Sequence, residues 1–268
     1  MSAFSVALRG TTVYEFRMAA RQRVLWLAVL PLLAVCTLIA GTSERVLGLS
    51  DPTGRVGAVA VVLNAFCTPG IAVALTDRLR QARRPGLAEL LAATPTGPVA
   101  RGVGLLAGSL AVALAPVALV LLSFGVGVTV AAGSVGPITA AVLGALVVLL
   151  PGALALTALA SALGLVFSLP LARILTVLVW VWTTLLSPRI LPMPNATGTM
   201  LSPLGEYPAT VWLHTKPWFE NAVSGTLSPT ADPAAAVTNL LLVLACAALL
   251  FGMAVAAARV SRETETKK

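Results

Sequence analysis

The chain has 268 residues, 58% of them hydrophobic and only 10% charged. A soluble domain carries about 25% charged residues, so this chain lacks the polar surface to face water on all sides. That excludes a soluble enzyme, a disordered tail and a disulfide-stapled secreted domain. The net charge of +8 suits a nucleic-acid binder on paper. In so apolar a chain it reads instead as basic loops on the inner face of a membrane, with no nucleic-acid partner.

Residues 4–23 come first and are basic. Drawn as a helix, Phe4, Ala7, Leu8, Thr11, Met18 and Ala19 share an arc into which Glu15 intrudes. Arg9, Arg17, Arg21 and Arg23 mix with Val6, Val13 and Phe16 elsewhere on the wheel. A helix lying in the cytoplasmic headgroup layer and a ragged basic leader both fit this pattern. The long polar start, with Trp26 at the head of the first apolar run, argues against a cleaved signal peptide.

Crossing a hydrocarbon core of about 30 Å takes about 20 apolar residues in a helix. Six stretches reach or approach that length: residues 24–40, 56–76, 103–130, 138–167, 171–186 and 234–258. The fifth is short and holds Arg173 near its start, where the side chain can snorkel to the headgroups. The boundary between the fourth and fifth falls near Ser168, Leu169 and Pro170. Pro31, Pro69, Pro116 and Pro151 interrupt four spans, and their kinks serve either packing geometry or hinge motion. Gly104 and Gly108 form a small-residue pair in the third span that lets another helix approach, in this chain or in a second one.

With both termini on one side, that side holds fourteen basic residues and the other holds four, while the ten acids split evenly. The positive-inside rule makes the richer side cytoplasmic. Two ends on one side require an even number of spans, which agrees with six.

Residues 77–102 join the second and third spans on the inner side. A basic run containing Arg83 and Arg84 is followed by Pro85-Gly86 and then by good helix formers over 87–94, stopped by Pro95. Leu87, Leu90 and Leu91 fall on one face. A short helix held just outside the membrane suits a partner's groove, and a solvated basic loop fits equally. Residues 187–233 lie on the outer side. They contain too many prolines and charges to span, yet carry Leu201, Leu204, Tyr207, Val211, Trp212, Leu213, Trp218 and Phe219. Short helices dipping into the outer leaflet or capping the bundle are expected there. Trp180 and Trp182 add to an outer aromatic belt. Asn195-Ala196-Thr197 matches a glycosylation sequon that carries no meaning in a bacterial membrane.

Most chemistry is absent. His214 is the single histidine, so no HExxH or histidine-cluster metal site can form. There is no GxxxxGK[ST] phosphate loop. Cys36, Cys67 and Cys246 lie in apolar runs and read as small buried hydrophobes. The spans lack midplane carboxylates, histidines and lysines, which argues against an ion-coupled transporter or a charge-selective pore. Their polar groups are mild: Asn64, Thr68, Ser123, Thr157, Ser161, Thr176, Thr183 and Thr184. Interhelical hydrogen bonding is their ordinary role. Asn64 is the most expensive to bury, and Asn64, Ser123, Thr157 and Ser161 are the candidates for a substrate pathway.

At the stretch Arg83-Arg84-Pro85-Gly86-Leu87-Ala88-Glu89-Leu90-Leu91-Ala92-Ala93-Thr94-Pro95 the chain resembles the type-2 permeases of ATP-binding-cassette exporters. In layout the resemblance covers nearly the whole chain. It implies an all-α membrane domain over residues 1–268: a six-helix bundle with an amphipathic connecting helix at 1–23, a coupling helix within 77–102 and re-entrant outer helices within 187–233. It also implies docking of a separate ATPase on Arg83, Arg84, Leu87, Glu89, Leu90, Leu91 and Thr94. ATP and magnesium would belong to that ATPase, and this chain would bind no cofactor and catalyse nothing. A second permease subunit, identical or similar, would complete the pathway in the bacterial plasma membrane. An uncharged interior suits a drug, peptide or lipid-like cargo. A non-transporting scaffold or assembly factor is the rival from another class. A lipid-modifying enzyme ranks below both for want of acid, base or metal groups.

Overall fold

A computed structural model describes residues 3–81, 97–186, 195–216 and 227–265. Among these residues the chain is all-helical, with no strand. Five helices are long and apolar enough to cross a membrane: Arg23–Thr42, Pro52–Gln81, Val99–Ala132, Gly136–Val166 and Pro233–Ala256. A sixth apolar helix, Leu169–Thr184, has 16 residues. At 1.5 Å per residue it is about 24 Å long, short of the hydrocarbon core.

Helix α1 (Ala3–Ala20) precedes the first long helix, α2 (Arg23–Thr42). A single turn, α3 (Glu44–Leu47), leads to α4 (Pro52–Leu75), the most buried of the long helices. Its start is written locally. Asp51 accepts hydrogen bonds from the Thr53 and Gly54 amides, and Pro52 occupies the first turn, where its missing N–H costs nothing. The turn α5 (Arg78–Gln81) continues α4 toward the inner loop. Helix α6 (Pro98–Ala132) follows, and Gly133 ends it in the left-handed conformation at φ 64°.

The fourth long element is not uniform. Helix α7 (Gly136–Gly144) passes through a π-helical turn at Ala145–Leu149 into α8 (Leu150–Val166). Pro151 follows directly, and the wider turn accommodates a ring that would otherwise meet the carbonyl one turn earlier. The chain then extends through Phe167 and Ser168 and restarts as α9 (Leu169–Thr184). The break lies where the sequence places it. Helix α10 (Glu206–Trp212) sits in the outer segment, and α11 (Pro233–Glu265) closes the chain.

Helix α4 stands at the centre, packed by α2, α6, α7, α8 and α9. Trp180 of α9 is buried, and its indole N–H donates to the Ala65 carbonyl of α4 at 2.8 Å. It is an interhelical anchor rather than part of an aromatic belt, whereas Trp182 is exposed. Cys36 of α2 and Cys67 of α4 are buried with their sulfurs 3.6 Å apart, as small-hydrophobe packing requires. Cys246 differs from expectation: it is exposed on α11. The least buried long helices are α2 and α11, whose outward faces carry Leu27, Leu38, Leu241, Leu249 and Met253. Water would penalise such surface by about 25 cal/mol per Å2, and lipid does not.

Candidate functional site

Two polar nodes interrupt the apolar bundle, one midway along α4 and one just past its C-terminal end, in α5. The one nearer the expected outer side, the outer node, is built on Asn64, which is completely buried. Its amide nitrogen donates to the carbonyls of Pro203 at 3.1 Å and Leu204 at 3.0 Å, and its oxygen accepts from the Thr68 hydroxyl at 2.7 Å. Gly152 makes the room: a Cβ there would stand 2.6 Å from Asn64 Oδ1 and 2.8 Å from the Pro203 carbonyl. Gly205 provides the second close approach. Its φ is +79°, and a Cβ would meet Val148 Cγ1 in the π turn at 3.1 Å.

The outer segment is fastened at other points. Asn239 of α11 is buried and donates to the carbonyls of Met200 at 2.8 Å and Ser202 at 3.1 Å. The last carbonyls of a helix have no partner within it, and here the outer segment supplies partners for α9. Thr197 Oγ1 donates to Trp182 O, Ser202 Oγ to Thr183 O, and Asn195 Nδ2 to Leu186 O. The sequon asparagine holds the stretch just past the end of α9. Leu204, Ala209 and Leu213 are fully buried beneath. The segment is seated in the bundle like a plug, reaching Asn64 midway along α4.

The inner node joins α1 to the start of the inner loop. Arg78 is buried; its guanidinium lies 3.7 Å from Glu15 Oε2 and donates to the side-chain oxygen of Gln22. Burial pushes the Glu15 carboxyl above the ordinary carboxylate range, and the opposing pull of Arg78 is the smaller effect. Glu15 is therefore no intruder on the inward arc of α1. It belongs to the packing face with Ala7, Thr11 and Thr12, while Phe4 and Met18 point outward.

That face meets the glycine pair of α6, so the small-residue motif joins two helices of one chain. A Cβ at Gly108 would stand 2.5 Å from the Thr12 carbonyl, and one at Gly104 would stand 2.8 Å from Thr11 Cβ. Both threonine hydroxyls donate back to α1, to Ala7 O and Leu8 O at 2.8 Å, so their polar atoms are satisfied within their own helix. Val6, Val13, Tyr14 and Phe16 are exposed on the opposite side beside Arg9 and Arg17, as suits a helix lying along a headgroup layer.

Of the four pathway candidates, Asn64, Thr157 and Ser161 are buried, and Ser123 lies on the exposed face of α6. Thr157 donates to Ala153 O at 2.5 Å. Ser161 Oγ is buried without a hydrogen-bond partner among the described residues. The docking candidates Arg83, Arg84, Leu87, Glu89, Leu90, Leu91 and Thr94 lie outside the described residues. Sequence reading missed Asn239, although it is the one amide in the last apolar run, the signal that singled out Asn64. It also took Arg78 only as one of the basic residues that mark the inner side.

No group of three or more metal-binding side chains occurs among the described residues. Comparison with protein-family models, curated proteins and solved structures finds no match.

Proposed function

We propose that this chain is the membrane subunit of an ATP-driven exporter of the type-2 ATP-binding-cassette kind. Two such subunits, identical or similar, enclose the pathway, and two separate ATPases dock on the inner face. ATP and magnesium are bound by those ATPases and not by this chain. Both termini lie in the cytoplasm of a bacterial cell, and six helices cross its plasma membrane, the short α9 by local thinning of the bilayer. The cargo is apolar or amphipathic.

One observation supports the reading most: a single buried helix carries the inner node at Arg78 and the outer node at Asn64. An ATPase pulling on residues 87–94 acts a few residues beyond Arg78. The same rod, followed outward, reaches the carbonyls that seat the plug. Displacing the rod therefore moves the outer closure without a separate relay. The π turn and Pro151 sit against the plug, where a bundle helix must yield if the plug is to move. A scaffold has no need of such a linkage.

Expression with a separately encoded ATPase of the P-loop type tests the proposal. The wild-type chain retains the ATPase through purification. Glu89→Lys combined with Arg84→Glu releases it while helix content and thermal unfolding stay unchanged. Equal retention by the variant removes the docking assignment.

A further inference from the structure

A crevice of about 260 Å3 opens between α6, α8 and α11. Leu106 and Ala107 form one wall, Ala248 and Phe251 the other, and Thr157 and Ala158 the floor. Ala107 and Ala248 are exposed, so the crevice opens on the face of the bundle rather than toward the plug. Phe251 bridges the walls at one end, where a Cβ on Gly102 would stand 3.3 Å from its ring.

We propose that this crevice seats one acyl chain of a membrane phospholipid. Three observations select that occupant. The lining offers no polar handle: the one hydroxyl, on Thr157, is turned back to Ala153 O and Leu154 O. An apolar space of roughly 150 Å3 stays dry and takes a benzene-sized hydrocarbon, so one this large takes a longer chain. A helix roughly 10 Å across fills on the order of 400 Å3 per turn, so a helix of a second copy is too thick to enter. A phospholipid held there ties α6 to α11, which touch each other little elsewhere. The inference needs a bilayer and not the ATPase, so it stands or falls apart from the exporter reading.

The test reconstitutes the full chain alone in phosphatidylethanolamine–phosphatidylglycerol vesicles. A trace of phosphatidylglycerol carries a diazirine midway along one acyl chain. After irradiation, mass spectrometry compares labelling around Ala107 and Ala248 with labelling around Leu119 and Val130, which are 65% and 78% exposed on α6. Labelling several-fold higher at the crevice is expected, and Ala107→Phe with Ala248→Phe reduces it to the Leu119 level. Both substitutions are at exposed positions, and Leu119→Phe is the control that changes nothing. Equal labelling at all four wild-type positions overturns the proposal without recourse to any variant. Labelling at the crevice below that at Leu119, as a covering second copy would give, overturns it too.

Discussion

Asn64 and Arg78 stand fourteen residues apart on one buried helix, and each grips a different part of the chain. At 1.5 Å per residue the two lie about 21 Å apart along the axis. Asn64 holds the outer plug by two backbone carbonyls. Arg78 holds α1 through Glu15 and Gln22. Coupling between distant sites needs an element that both sites bias, and the proposed function assigns that part to α4 with α5.

Asn64→Asp should loosen the plug. The substitution keeps the shape and replaces the donor with an acceptor facing the Pro203 and Leu204 carbonyls. Each buried acceptor left unpaired costs about 1–3 kcal/mol. The expected result is a lower unfolding temperature in detergent and faster labelling of Leu204→Cys by an impermeant maleimide. Asn239→Asp should act in the same direction, because it removes the donor to Met200 and Ser202.

Gly108→Val should detach α1. The added Cβ meets the Thr12 carbonyl at 2.5 Å, a contact that backbone cannot relieve by rotamer change. Gly127→Val is the matched control, since nothing lies within 4 Å of a Cβ there. Limited trypsin digestion at Arg9 and Arg17 should speed up in the first variant and stay at the wild-type rate in the second.

The Glu15 carboxyl gives a pH signature. Its folded pKa is raised by burial, with Arg78 offsetting part of the rise. A raised pKa means that the folded chain binds the proton more tightly than the unfolded chain, whose carboxyl titrates near about 4.3. The stability contribution is thus full below about pH 4 and is lost as pH rises through the folded pKa. Glu15→Gln should remove that slope from the acid limb of thermal unfolding. An identical limb in both proteins would contradict the assigned environment.

The tryptophans report the packing of α9. Trp180→Phe removes the donor to Ala65 O and should cost on the order of 1 kcal/mol, with loss of a blue-shifted fluorescence component. Trp182→Phe should remove emission of lipid-exposed character and leave stability near wild type.

Hydropathy alone located every long helix, because an uncharged run of this length has few other destinations than a bilayer. Ser168-Leu169-Pro170 marked the break between α8 and α9 through its proline, whereas the Asp51 cap that starts α4 went unread. The partner of the glycine pair was not legible, because spacing states that a helix approaches and not which one. Glu15 looked misplaced on a helical wheel for the same reason: its justification, Arg78, is distant in sequence. The outer segment was legible as short helices that either cap the bundle or dip into a leaflet, but how it is held was not. Its fastening depends on backbone carbonyls, which no side-chain pattern records.

The most direct measurement follows the plug during ATP turnover. The chain bearing Leu204→Cys, with Cys36, Cys67 and Cys246 changed to Ala, is reconstituted in vesicles with its ATPase. An impermeant maleimide added to the outer side reads exposure at residue 204. Labelling should accelerate on ATP, and Glu89→Lys with Arg84→Glu should abolish the acceleration. Labelling that ignores ATP while the ATPase remains bound and hydrolysing would contradict transmission through α4.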